Sequence, residues 1–276
     1  MTRIMTKKPI VLAFANNKGG TGKTTVALNV AAGLARIGKD VLMIDLDSQA
    51  NLSIWAGFRN VKKHVGHLLM DDMEWQEVLL EGKIENEYGS VRLDLLPSAR
   101  TMLRAEAVIN ANAILMFALR NALNEHGHSY DYIIVDCPPS LGALTVNALV
   151  AADYYIVPMQ GENFAYIGLD EMLIAVSKLR RDAGAQVQLL GVLKNKFSQH
   201  TVFGREISEA LEKKNINVFK TQIRQNTSLM ECTALSQSIF DYKPKSNGAI
   251  DFSALVEEII HNVEKNQSQS PTLIQQ

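Results

Sequence analysis

Cysteine is scarce in this chain: Cys137 and Cys232 are the only two in 276 residues. Two isolated thiols exclude a disulfide framework and supply no zinc-type spacing, and they fit a reducing cytoplasm. Long apolar runs are missing too. None approaches the ~20 residues that span a bilayer, and residues 1–9 hold no apolar signal core, so a soluble protein with no membrane partner is expected. Net charge is nearly absent, 28 Lys and Arg against 29 Asp and Glu, so the molecule as a whole has no polyanion-binding signature. His64 and His67 have no cysteine or carboxylate cluster around them, which argues against a metal site there. No internal repeat is present. The remainder is ordinary globular composition, 47% hydrophobic and 21% charged, enough to bury one large α/β core.

What is present starts at Ile10-Val11-Leu12-Ala13-Phe14-Ala15, an apolar run that reads as a buried strand. Asn17-Lys18-Gly19-Gly20-Thr21-Gly22-Lys23-Thr24-Thr25 follows, and Val26-Ala27-Leu28-Asn29-Val30 then has helical spacing. Strand, glycine-rich turn, Gly-Lys-Thr and helix form the order of a phosphate-binding loop. Backbone N–H groups and the positive helix end favour an anion there. Lys23 is placed to reach β- and γ-phosphates, and the Thr24 hydroxyl to ligate Mg²⁺. The usual first glycine is replaced by Asn17, and Lys18 adds a second lysine.

Further along, Asp40-Val41-Leu42-Met43-Ile44-Asp45 reads as a second buried strand. It runs into Asp47, Ser48 and Gln49, and carboxylates at the carboxyl end of a parallel strand lie where open α/β sheets bind ligands. Residues 65–70 and 75–80 suggest short helices, and 91–96 a strand. One long helix is expected over 101–125, with Ile109, Ala113, Phe117 and Leu119 on its buried face. Tyr130-Asp131-Tyr132-Ile133-Ile134-Val135-Asp136 is a strand ending in a carboxylate suited to Mg²⁺. Helices over 169–181 and 201–214, strands over 187–193 and 217–219, and a last helix ending near Lys265 complete the pattern. The expected organisation is an extension over 1–8, one domain over 9–265 and a disordered tail over 266–276.

The block Lys18-Gly19-Gly20-Thr21-Gly22-Lys23-Thr24-Thr25 resembles the deviant Walker A motif of the ParA/MinD ATPases, in which the first lysine is the signature. Asp45-Leu46-Asp47-Ser48-Gln49-Ala50-Asn51 is similar to that family's first switch, with Ser48 and Ala50 in place of proline and glycine. Asp136-Cys137-Pro138-Pro139 is similar to its second switch. Two further blocks, Val157-Pro158-Met159-Gln160-Gly161-Glu162-Asn163-Phe164-Ala165 and Tyr242-Lys243-Pro244-Lys245-Ser246-Asn247-Gly248-Ala249, favour the ParA (Soj) partition branch. The resemblance implies an α/β, P-loop NTPase-like fold: one domain with a mostly parallel twisted sheet and helices on both faces. It implies ATP and Mg²⁺ as cofactors and a weak, partner-stimulated ATP hydrolase. By residue, Lys18 through Thr25 hold phosphate, Thr24, Asp45 and Asp136 serve the metal, and Lys18, Lys23 and Asp47 are catalytic. Lys18 acts across an ATP-bound homodimer and Asp47 orients the attacking water. Asn195, Arg224 and Asn226 lie in segments that border the adenine, although Arg224 and Gln225 depart from the family's Pro-Arg. Cys137 lacks the context of cluster-binding relatives and reads as a small buried residue.

Partition ATPases of this kind bind double-stranded DNA without sequence preference and are released by a ParB-like centromere-binding protein, so a cytoplasmic, nucleoid-associated location is implied. Residues 170–250 hold 12 Lys and Arg against 8 Asp and Glu. The candidate DNA contacts there are Lys196, Arg205, Lys213, Lys214, Lys220, Arg224, Lys243 and Lys245. The alternatives are a MinD-like membrane ATPase, disfavoured by the acidic Glu257-Glu258 end, a cargo-positioning relative, and a metabolic P-loop enzyme.

Overall fold

Strands that are apolar at every position, with no polar alternation, have to be covered on both faces. The computed structural model, which describes residues 8–161, 165–196 and 209–269 (165–167 by backbone alone), shows how. In chain order the first half comprises β1 (Ile10–Phe14), α1 (Lys23–Arg36), β2 (Val41–Asp45), α2 (Asn51–Trp55), α3 (Val65–Leu69), α4 (Trp75–Val78), β3 (Lys83–Asn86), β4 (Gly89–Leu96), α5 (Met102–Ala111) and α6 (Ala118–His126). The second half comprises β5 (Tyr132–Asp136), α7 (Ala143–Ala151), β6 (Tyr154–Met159), α8 (Ala165–Ala183), β7 (Gln188–Lys194), α9 (Thr227–Ala234), α10 (Ile239–Tyr242) and α11 (Asn247–Gln269).

Seven strands form one sheet in the order β3-β4-β2-β5-β1-β6-β7. All neighbours are parallel except the β3–β4 hairpin. Successive side chains divide between two layers. Ile10, Leu12 and Phe14 meet α1, α10 and α11, whereas Val11 and Ala13 meet the layer of α3 to α8. The α1 helix is apolar almost all round because it lies between the sheet and α11. A Cβ on its Gly33 would stand 2.8 Å from Val256 Cγ2, so the close crossing of the two helices needs glycine there.

The P-loop NTPase-like expectation of a mostly parallel sheet covered on both faces holds. Some local expectations do not, among them the strand over 217–219, where only Val218 pairs, in an isolated parallel bridge with Val192. The single helix over 101–125 is broken: Asn112 is extended, its side chain accepts from Ile114 N, and a 3-10 turn over Ala113–Phe117 leads into α6. The two helical pieces are bent by 114°, since an asparagine side chain competes with the helix for backbone partners. Ile109 and Leu119 still reach one core, but Ala113 is exposed. The β3–β4 hairpin was not foreseen, because β3 alternates exposed and half-buried positions at the sheet edge. Finally, α11 continues to Gln269, past the expected end at Lys265. Of the helix expected over 201–214, residues 209–213 are helical and Lys214 is in the turn that ends it; residues 201–208, with Arg205, lie outside the described residues. No single helix among the described residues is long and apolar enough to cross a membrane.

Candidate functional site at the carboxyl ends of the strands

The sheet order places β1 between β5 and β6, while the chain leaves β1 for β2 on the far side of β5. A crevice therefore opens at the carboxyl ends of β1, β2 and β5. The loop 17–25 fills it. Gly22 caps α1 with φ 86°, a conformation that suits glycine, and an added Cβ would strike Asn195 Nδ2 at 2.2 Å. Lys23, the first residue of α1, is buried, and its Nζ donates to Lys18 O at 3.3 Å. Burial pushes its pKa down, against the pull of Asp136, Cys137 and Asp47. Thr24, Asp47, Gln49 and Pro139 help to line a hollow of about 440 Å³ over the loop.

Parallel pairing sets Asp45 directly opposite Asp136, and paired residues in a sheet face the same side. Both are fully buried. Asp45 is well served: its Oδ2 accepts from Ser53 N at 2.8 Å and Ser53 Oγ at 2.7 Å, and its Oδ1 from Asp47 N at 3.1 Å. Burial still raises its pKa to about 6, with those bonds working the other way. Asp136 differs. Both of its oxygens are buried and, among the described residues, without a hydrogen-bond partner. Its pKa stands well above the ordinary carboxylate value, first from burial and then from Asp45, and the Thr24 hydroxyl and Lys23 offset this in part. Orphaned buried carboxylate oxygens beside a hydroxyl and a phosphate-binding loop fit a hard divalent cation such as Mg²⁺, which takes few protein ligands and completes its shell with water and phosphate. Asp47 Oδ1 accepts from Gln49 N at 2.9 Å, a local turn within the first switch, and both residues line the hollow.

A family model described as an AAA domain matches residues 9–189. The sequence is 36% identical over 255 residues to the chromosome-partitioning ATPase Soj of Thermus thermophilus, covering 92% of this chain and 96% of that protein. It is 34% identical over 255 residues to the sporulation initiation inhibitor protein Soj of Bacillus subtilis, covering 91% and 98%. The chain belongs to the ParA/MinD-type P-loop ATPases. Its backbone also resembles cobyrinic acid a,c-diamide synthase from Mycobacterium smegmatis, solved with an ATP analog and magnesium, with TM-score 0.78 at 29% identity over 94% of this chain and 97% of that one.

With the family in view, several side chains prove to hold the ParA/MinD-type loop: Asn17 and Gln160 stand in blocks already quoted, whereas Asn16, Ser53, Ser98 and Asn29 were not assigned a site role. Buried Asn16 donates to Pro158 O at 2.8 Å and accepts from Lys18 N at 3.0 Å. Gln160 Nε2 donates to Gly20 O at 2.6 Å, and Asn17 bonds Glu171 of α8. Ser53 joins the switch to Ser98. Asn29 of α1 accepts from Ile239 N at 2.9 Å and so ties α1 to the start of α10. A polar residue inside an apolar helix, as at Asn29, is the signal that was available.

The expected adenine-bordering residues have defined places. Asn195 is buried at the end of β7, where its Nδ2 donates to Thr21 O at 2.7 Å. Arg224 is held by Asp251 of α11, Nη2 to Oδ1 2.6 Å. Asn226 caps α9 by accepting from Ser228 N at 2.9 Å. Of the candidate DNA contacts, Lys214 bonds Asp170, Arg224 bonds Asp251, and Lys243 bonds Glu231 at 3.1 Å. Lys196 lines the phosphate-loop hollow, and Lys213, Lys220 and Lys245 are exposed. His64 and His67 form the capping box of α3, and Cys137 is buried.

Proposed function

We propose that this chain is a ParA-type ATPase that binds ATP with Mg²⁺, dimerises in that state, coats duplex DNA non-specifically and is released by a ParB-like activator during partition of a replicon. The observation that carries the reading is the two-lysine loop beside the buried carboxylate of Asp136, whose oxygens have no hydrogen-bond partner among the described residues. On this reading Thr24 and Asp136 hold the cation, with Asp45 supporting the switch that carries Asp47. When bound, Mg²⁺ neutralises charge developing on the transferred phosphoryl group. Loop amides and Lys23 do the same from the protein side, in fixed positions that need no reorganisation. Asp47 orients the attacking water. Lys18 reaches the phosphates of the partner subunit, so that ATP joins the dimer and hydrolysis releases it. Asn195, Arg224 and Asn226 border the base, and the protein works in the cytoplasm on the nucleoid.

Dimerisation is the step on which DNA retention depends, because two linked faces gain by effective concentration what one lacks. Lys18→Ala should bind ATP as the parent does yet remain a monomer with a slowly hydrolysed analogue and Mg²⁺ in light scattering. A full complement of dimers in that variant would end the trans role of Lys18.

A further inference from the structure

Beside the phosphate loop lies a second hollow of about 630 Å³, between the first switch and the turn after β4. Its wall is apolar at Ile54, Phe58 and Val61, and Arg59 and Arg100 stand at its edge. Both arginines are exposed, and among the described residues neither guanidinium has a carboxylate or hydrogen-bond partner. The surrounding chain supplies none nearby in sequence, since residues 48–70 contain no Asp or Glu. Ser98 also lines the hollow. That residue is 1% exposed, and among the described residues its hydroxyl has no hydrogen-bond partner. A buried hydroxyl left without a partner is uncommon, and a hollow of this volume with an apolar wall and polar side chains around it is of the kind that takes a small molecule.

The hollow is joined to the nucleotide site in two ways. Gln49 and Ile54 line both hollows. Ser98 N donates to Ser53 Oγ at 2.8 Å, and Ser53 Oγ donates to Asp45 Oδ2 at 2.7 Å. We infer that this hollow is an effector site for a small organic anion, a carboxylate or phosphate monoester on a short apolar body, held by Arg59 and Arg100 against Phe58. Its occupancy acts on the switch through the shared wall and the Ser98–Ser53–Asp45 chain. Binding there stands apart from the partition reading, while its effect on turnover rests on it.

The test titrates the full chain, saturated with ADP and Mg²⁺, with phenylacetate and separately with phenyl phosphate, by calorimetry. One of the two should bind with Kd of about 1 mM or tighter, which also tells carboxylate from phosphate. Arg59→Ala and Arg100→Ala should each weaken that binding at least ~10-fold, the scale of a charge-assisted contact, without changing ADP affinity. The bound anion should change ATP turnover about twofold or more in the parent and not in the double variant, a modest coupling. Four results would overturn the proposal: no binding of either probe at ~10 mM, equal binding to the variants, displacement by ADP, or unchanged turnover with the anion bound. A duplex oligonucleotide that loses affinity in the double variant when neither anion binds would make the patch a nucleic-acid surface, and the proposal would fall. Failure of ADP itself to bind would strike the nucleotide reading instead, so the two are separable.

Discussion

At the carboxyl ends of β2 and β5 charge is buried and incompletely satisfied, whereas across the C-terminal face charge is exposed and much of it already paired. Lys23, Asp45 and Asp136 are at most 6% exposed. Arg224 and Lys243, by contrast, keep nearly half of their side chains in solvent while bonded to Asp251 and Glu231. Burying an ion costs several kcal/mol after relaxation, and an exposed pair contributes little. A fold does not retain the first arrangement without a ligand that needs it, so the buried group argues for function and the exposed one argues for very little.

The largest effect should come from the buried lysine. Lys23→Ala should lower phosphate release about 10²–10³-fold, the range for removing one preorganised donor to transition-state charge. Turnover within tenfold of the parent would erase the contrast between the regions. Asp136→Asn sharpens it through opposite signs. Neutralising a buried unpartnered carboxylate should stabilise the nucleotide-free protein by about 1–3 kcal/mol, read from urea midpoints at neutral pH. The same change should remove the Mg²⁺ dependence of nucleotide binding. A variant that is destabilised and keeps its Mg²⁺ response would show that Asp136 is a structural acid.

His64 is the control, buried but satisfied. Its Nδ1 accepts from Gly66 N at 3.1 Å, so the ring proton sits on Nε2, which bonds Thr101 Oγ1 at 2.8 Å. Burial, with His67 adding to it, lowers its pKa from 6.5 to about 4. The folded state thus binds the proton less readily than the unfolded chain. The stability this contributes is complete above pH 6.5 and is lost as pH falls toward 4, by roughly 1–3 kcal/mol. His64→Asn keeps an acceptor for Gly66 N and should flatten that slope in urea titrations between those limits. An unchanged slope would assign the acid sensitivity to other groups.

What was legible in the sequence follows the same division. The loop, β1, β2 and β5 were readable because a phosphate cradle needs glycine at fixed positions and a buried parallel strand needs an unbroken apolar run. Asp45 and Asp136 could be placed because each ends such a run. The break at Asn112 was hidden, since Ile109 and Leu119 keep helical spacing across it and the stop comes from one side-chain bond to Ile114 N. Asn16 and Ser98 were hidden for a related reason, as was the bond from Gln160 to Gly20 O: the partners are distant backbone or side-chain atoms that only the folded chain brings near. The charge surplus over residues 170–250 is a property of the sequence alone. Its pairing with Asp170, Glu231 and Asp251 depended on tertiary structure, and Asp251 lay outside the window counted.

That pairing yields the smallest and most selective expectation. Lysines that neutralise a DNA phosphate release counterions, and each contact adds about −0.9 to the slope of log affinity against log salt. Lys243 already faces Glu231, and Arg224 already faces Asp251. Among the described residues the ammonium groups of Lys220 and Lys245 form no ion pair, and the Glu258 carboxylate near Lys220 is taken up by backbone N–H groups, Lys220 N at 2.7 Å and Thr221 N at 2.8 Å. If the C-terminal face meets DNA, Lys220→Ala and Lys245→Ala should each reduce the slope by about 0.9, whereas Lys243→Ala should leave it nearly unchanged. Fluorescence anisotropy of a labelled duplex with the ATP-state protein at several salt concentrations measures this directly. Equal slope changes for Lys243 and Lys245 would mean that the Glu231 pair opens on DNA, and exposed pairing would then be no guide to which charges this face presents.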